Sequence, residues 1–343
     1  MTRCTSAESY DEDEVPRVVE SLNVEGRVLV QAPDGLKRIA REVADVLEAR
    51  GCEVELDAGR VFGACDITPG TVVRTDHIVH IGHYPIPEVE RQIRELGATV
   101  HFLPTHGRKR VEPWMAEEAV EVLHNLGIDR VNVCATAQYV ADLELVSEIL
   151  RESGIEPVIR PGDGRRVATP GLVLGCNFSA LDTSLPTIVV CSGSFHPAGV
   201  AIRTNRPVVQ IDPTKGVLDS EDVEDVIRRI LAVRLSKIRE FNREEGFEIV
   251  ESTALGQRRP DVVRVLDRPT WRLRYLTEDA LRSLRRRQCV FCGCPRVPVD
   301  EAARFKRWVL LNPAELAAVR AGWKEYRLDE IPTPEDVLNA LRR

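Results

Sequence analysis

The chain has 343 residues, 47 of them Lys or Arg and 54 Asp or Glu, giving a formal charge of −7 at pH 7. That balance excludes a global basic field for direct contact with nucleic acid, and the runs "GRKR" (107–110) and "LRRRQ" (284–288) read as solvated faces. With 43% hydrophobic and 29% charged residues, the composition is that of a globular protein long enough for two or three domains.

Residues 1–16, "MTRCTSAESYDEDEVP", are acidic and polar and lack the order of a signal peptide; they are expected to be a flexible segment. No apolar run approaches the roughly 18–20 residues of a membrane span, so the expected location is the cytoplasm. Nine cysteines, an odd number spread along the chain, suit reduced thiols better than a disulfide framework.

From residue 27 onward, apolar strand-like runs alternate with helical patterns. "RVLVQAP" (27–33) reads as a buried strand, with Asp34 as cap of a helix whose apolar face is Leu36, Ile39, Ala40, Val43, Val46 and Leu47. Further strands are expected at 77–83, 98–104, 130–136, 187–193 and 206–212. Amphipathic helices are expected around 86–97, 114–126 and 140–153, and a longer one over 219–245. Such alternation with Val/Ile-rich strands predicts α/β architecture with parallel sheets.

Ligands of parallel sheets bind beyond the carboxyl ends of the strands. Three candidate strand-end segments carry a cysteine beside a small residue: Cys65 in "FGACDI", Cys176 in "VLGCNF" and Cys294 in "CGCPRV". The separations are 111 and 118 residues, which suggests three related units, each presenting one cysteine from a loop. Three converging thiolates could hold zinc or an iron–sulfur cluster, and a [4Fe–4S] cube with three protein ligands keeps one iron open. Two other readings stand beside this one. The three cysteines could be small buried hydrophobes, or Cys289, Cys292 and Cys294 could form a local site, although no second CxxC or histidine pair lies nearby. Cys52, Cys134 and Cys191 read as core. In "HIVHIGH" strand alternation puts His77 and His83 on one face and His80 on the other, against a three-histidine metal site. "CSGSFHPAG" (191–199) reads as a small-residue loop whose amides could hold a carboxylate or phosphate, with no helix directly after it.

The segments "VQAPDGLK", "GACDI", "HIGHYPIP", "CATAQYV", "VLGCNFSAL", "GSFHPAG", "IDP", "STALGQRRP" and "CPRVPVDEAARF", in that order from about 27 to 312, resemble the archaeal 2-(3-amino-3-carboxypropyl)histidine synthases of diphthamide biosynthesis. The resemblance implies three similar parallel-sheet α/β domains in a pseudo-threefold triangle around a central [4Fe–4S] cluster, bound by Cys65, Cys176 and Cys294. On this reading the domains span 17–106, 107–212 and 213–343. It implies S-adenosylmethionine at the open iron and cleavage of its sulfur–Cγ bond by an electron from the cluster. A 3-amino-3-carboxypropyl radical would then add to C2 of a histidine imidazole on elongation factor 2. An electron donor and a homodimer are implied as well. Gln257 and the loop residues Ser192, Gly193 and His196 are the expected S-adenosylmethionine pocket. Two alternatives are a quinolinate-synthase-like dehydratase and a non-catalytic partner of a paralogue. The chain departs from the family pattern at Asp34, at His83-Tyr84-Pro85 and at Ala254, which stands where a lysine is usual; Cys289 and Cys292 are additional.

Overall fold

The computed structural model describes residues 9–242 and 244–321, together with Val337. The first of its three sheets contains β1 (Arg27–Gln31), β2 (Glu53–Leu56), β3 (His77–Ile81) and β4 (Thr99–Leu103). The second contains β5 (Arg130–Ala135), β6 (Glu156–Val158), β7 (Thr187–Val190), β8 (Val208–Asp212) and β9 (Gly216–Leu218). The third contains β10 (Glu248–Ser252), β11 (Thr270–Leu273), β12 (Gln288–Cys292) and β13 (Val309–Leu311). The orders are β2-β1-β3-β4, β6-β5-β7-β8-β9 and β11-β10-β12-β13, one repeated topology with an extra hairpin strand on the second sheet. Every pairing is parallel except β8–β9. Helices supply the crossovers that parallel neighbours need. β9 carries the second sheet past residue 212, beyond the boundary expected from the sequence.

The helix over Lys37–Ala49 buries Ile39, Ala40, Val43, Ala44 and Leu47, the face its spacing dictates. Asp34 does not cap it; Asp34–Leu36 forms a 3₁₀ turn that leads into it. Helices Pro87–Glu95, Pro113–Asn125 and Leu143–Glu152 stand where periodicity places them. The long helix Ser220–Glu240 starts at Asp219, whose carboxylate accepts from the N–H groups of Glu221 and Asp222. It leans on β8 and on β13, and its buried Arg234 pairs with Glu315 at 2.7 Å while donating to the carbonyls of Pro298 and Leu310. The expected loop after β7 is a correction: helix Phe195–Thr204 begins there directly. Pro197 and Gly199 mask it in the sequence, but a proline in the first turn breaks no helical hydrogen bond.

The acidic start is a second correction. Residues 1–8 lie outside the described residues, but 9–16 are packed rather than loose. Tyr10 bridges to Thr105, Glu12 pairs with Arg108 at 3.0 Å, and Val15 is fully buried at the start of helix Val15–Glu20.

The histidine run is a third. β3 stops at Ile81, and Gly82 at φ 94° turns the chain, so His83 folds back onto His80, Nδ1 to Nε2 at 3.0 Å. Gln31 fixes the tautomers. Its amide nitrogen donates to the Asp57 carboxylate and the Asp66 carbonyl, so its oxygen accepts from His80 Nδ1–H at 2.8 Å. His80 Nε2 then accepts from His83. His77 instead stacks on His101, with ring centroids 5.4 Å apart.

Burial holds all of the inner histidines neutral: His83 and His101 are lowered to about 4 and His196 to about 3, the last also by the Arg296 cation, and His80 falls well below its usual value. A histidine lowered from the unfolded value of about 6.5 contributes stability that is complete above that pH and is lost as pH falls toward 4. Asp66 and Asp300, raised by burial to about 6, act in the opposite sense between pH 6 and 4. Four histidines against two carboxyls leave a net loss. Urea denaturation at pH 5.0 and 7.0 should show lower stability at the acid pH, by at most about 1.4 kcal/mol per histidine per pH unit before the carboxyl offset. Equal midpoints and slopes would contradict the neutral, buried assignment.

Candidate functional site

Cys65, Cys176 and Cys294 line one cavity of about 690 Å³. They arrive from the three sheets by different routes. Cys65 lies between β2 and β3 and Cys176 between β6 and β7, the same connection in the repeated topology. Cys294 follows β12, the third strand of its sheet in chain order. The near-equal spacing in the sequence therefore does not mark three equivalent loops.

Cys65 sits on a turn closed by Asp66 N–H to the Gly63 carbonyl at 3.0 Å. Its own carbonyl accepts from Gly256 N–H at 3.1 Å, and the Ile67 carbonyl accepts from Leu255 N–H at 2.7 Å, joining the first lobe to the loop after β10. Gly256 is required by close approach: a Cβ there would stand 2.5 Å from the Cβ of Cys65. Gln257, next in the chain, accepts from Ser252 Oγ at 3.1 Å and points its amide nitrogen at Cys65 Sγ, 3.6 Å away.

Cys176 is held by its neighbour. Asn177 Nδ2 donates to Asp163 Oδ2 at 2.7 Å, while Asp163 Oδ1 accepts from the backbone N–H groups of Arg165, Arg166 and Val167. The loop so ordered reaches both other lobes. Arg165 makes a two-pronged pair with Glu88 on helix Pro87–Glu95 at 2.7 and 2.8 Å, and Glu88 N–H donates back to the Arg165 carbonyl. Arg166 donates through Nη1 to the Gly256 carbonyl at 2.9 Å and presents Nη2 to Cys176 Sγ at 3.8 Å.

The electrostatics are those of half-buried thiols among half-buried cations. Burial pushes the Cys65 thiol up to about 11, with Arg166 countering, and burial together with Cys176 and Cys65 raises Cys294. Burial works against the charge of Arg166, but Cys176, Cys65, Cys294 and Glu88 outweigh it and raise its pKa. Arg259, also lining the cavity, is lowered by burial and then by Arg166 beside it.

This donor set suits a soft, polynuclear iron group. It offers three thiols, two N–H donors aimed at sulfur and two guanidiniums to offset thiolate charge, with no fourth cysteine lining the cavity. Among the described residues no three His, Cys, Asp or Glu side chains are grouped to hold a single metal ion. A cube whose irons each take one thiolate does not require such a group.

The other expected residues divide. Gln257 lines the cavity. Ser192, Gly193 and His196 do not: Ser192 is exposed, Gly193 N–H donates to Asp212 at 3.1 Å, and the His196 ring meets Phe195 edge-on. From that loop Phe195 packs against Gly175 and under the Arg296 guanidinium at 3.4 Å. His80 and His83 belong to the first lobe's internal network. Cys289 and Cys292 lie in β12 in two different cores, one with Phe291 and Trp308, the other with Ile249 and Leu311. Cys134 and Cys191 are buried and Cys52 is half-buried; Cys4 lies outside the described residues. Sequence reasoning passed over Glu88, Asp163, Arg165, Arg166 and Arg259. The available signal was "GDGRRV" (162–167), an Asp-Gly turn followed by two arginines ten residues before Cys176.

The family model for diphthamide synthesis proteins matches residues 32–329. The 2-(3-amino-3-carboxypropyl)histidine synthase of Pyrococcus horikoshii is 31% identical over 319 residues, 89% of each chain. Subunit 1 of the synthase from Encephalitozoon cuniculi is 26% identical, covering 90% of this chain and 87% of its own. A crystal structure of Dph2 from Pyrococcus horikoshii with a 4Fe-4S cluster matches with a TM-score of 0.76 over 95% of both chains, at 28% identity. Three sheets of one topology, three cysteines facing one cavity and these likenesses over nearly the whole length agree: the chain belongs to the diphthamide synthesis protein family.

Proposed function

We propose that this chain transfers the 3-amino-3-carboxypropyl group of S-adenosylmethionine to C2 of a histidine imidazole on elongation factor 2, the first step of diphthamide biosynthesis. The observation that carries the reading is the meeting of Cys65, Cys176 and Cys294, from three sheets, at one cavity lined with arginines. These three cysteines would hold a [4Fe–4S] cluster, the group named for the crystal structure of the Pyrococcus horikoshii relative. When bound, the cluster supplies the electron that cleaves the sulfur–Cγ bond and an open iron that receives the sulfonium substrate.

The chain's own residues do the rest. Gln257 and Arg166 donate toward the Cys65 and Cys176 sulfurs, and both favour the thiolate form of Cys65. Arg259, which makes no ion pair among the described residues, offers a guanidinium to the substrate carboxylate, a role the buried Ala254 cannot fill where the family has lysine. Seating the chemistry between lobes keeps bulk water from a reactive radical. Elongation factor 2 must dock where its histidine can enter, an outside electron donor must reload the cluster, and the chain is proposed to work as a homodimer in the cytoplasm. No helix among the described residues is long and apolar enough to cross a membrane. The relatives' names favour transfer over a quinolinate-synthase-like dehydration, and the complete three-thiol set favours a catalytic chain over an inert partner.

Single Cys→Ala changes at 65, 176 and 294, in chains reconstituted anaerobically with iron and sulfide, should each lose the brown chromophore and the cleavage of S-adenosylmethionine. Cys289→Ala and Cys292→Ala should keep both, at a cost in stability of about 1–3 kcal/mol for a vacated core position. Retention of the cluster in Cys65→Ala together with its loss in Cys289→Ala would sink the assignment. Gly256→Ala is a steric test: it removes no thiol, but its methyl must displace Cys65. It should lower iron uptake and cost about 1–3 kcal/mol in denaturation. Full iron content with unchanged stability would show that the close approach does not matter.

A further inference from the structure

We infer that Arg166 is a positioning residue that raises the reduction potential of the cluster and fixes the loop that shapes its first cysteine. The inference rests on the proposed reading of the site. Two contacts from one guanidinium carry it: Nη2 lies 3.8 Å from Cys176 Sγ, and Nη1 donates to the Gly256 carbonyl at 2.9 Å. The Gly256 N–H in turn donates to the Cys65 carbonyl, so the planar fork spans two lobes and reaches a third through one residue. A lysine could reach one of these acceptors but could not hold both in the same plane.

The sign of the effect follows from charge. One-electron reduction adds a negative charge to the cluster and its thiolates. A half-buried cation that also donates to a ligand sulfur stabilises the reduced form more than the oxidised form, which raises the potential. Gln257 makes the matching contact to Cys65, but as a neutral amide. The charged member of the pair is therefore Arg166, which among the described residues is the cavity arginine in contact with a cysteine sulfur. Its partner Arg165 is neutralised by Glu88 and faces that carboxylate rather than sulfur.

The test is a potential measured on the loaded, full-length chain. Wild type, Arg166→Ala, Arg166→Gln and Glu88→Gln are reconstituted anaerobically, assayed for iron and sulfide, and titrated with the reduced cluster followed by electron paramagnetic resonance. Both Arg166 variants should be harder to reduce, by about a tenfold change in the reduced-to-oxidised ratio at fixed potential, which for one electron is about 59 mV. Glu88→Gln loosens the same loop by breaking the Arg165 pair but removes a negative charge, so its potential should not fall. That separates a charge effect from general loosening. If Arg166→Ala takes up no iron, Arg166→Gln decides, because it keeps a neutral donor and loses only the charge. Loaded Arg166 variants with the wild-type potential would overturn the inference, as would an equal fall in Glu88→Gln. A wild-type chain that takes up no iron would overturn the reading of the site itself, and that result is distinct from the others.

Discussion

The structure depends on one short loop. Three parallel sheets, each with its own core, have to bring one cysteine apiece to a common point. Backbone pairing joins the first and third lobes at residues 65–67 and 255–256, but the second lobe has no strand to offer either neighbour. Residues 163–167 tie it to both: Asp163 to Asn177 within its own lobe, Arg165 to Glu88 of the first through side chain and backbone, Arg166 to Gly256 of the third. The Glu88–Arg165 pair is exposed on the arginine side and worth little by itself. Its value is geometric, since it fixes the backbone from which Arg166 projects.

Charge explains why such a loop is tolerable. Like charges close together are unfavourable away from water, and here Arg166 and Arg259 stand side by side, Arg259 lowered by burial and by Arg166, while burial raises the Cys65 and Cys294 thiols. Thiolates around a metal group would set negative charge beside the two guanidiniums and offset that repulsion. Loading the cavity and docking the lobes then draw on the same free energy, as in small metal-dependent domains. The Arg259 cation is disfavoured beside Arg166 and favoured beside thiolates, so its charge and the ionisation of the thiols support each other.

Much of this was legible in the sequence, and the failures have physical causes. The inner strands of the first two lobes, β1, β3, β5, β7 and β8, announce themselves because they are buried on both faces and read as Val/Ile-rich runs, whereas the edge strands β2 "EVEL" and β6 "EPV" are exposed or half-buried and do not. The third lobe's strands do not. β10 is "EIVES" and β11 "TWRL", interrupted by charged residues: the buried Glu251 pairs with Arg272 at 3.0 Å, and Glu248 accepts from Trp271 Nε1–H. The three cysteines were found from their place beyond strand ends, although the equal spacing that supported them arises from unlike loops. Arg166 could not be found that way. Its importance lies in what is near it in space, a carbonyl ninety residues downstream and a sulfur ten residues on.

The run "QCVFCGCPRV" shows how backbone conformation decides between readings of one motif. A CxxC on a turn can chelate because both sulfurs face inward. On a strand the period is two, so residues three apart project to opposite faces. Cys289 and Cys292 obey that rule, one in each of the two cores that flank β12, and cannot share an ion or a disulfide without unravelling the strand. Cys294 escapes because the strand ends at Cys292 and the chain turns at Gly293. A side chain at Gly293 would run into the Phe291 ring, with a Cβ only 2.4 Å from its Cζ. The glycine therefore releases the third thiol from the sheet toward the cavity. What distinguishes the three cysteines of this run is not their reactivity or their spacing but the residue at which the strand stops.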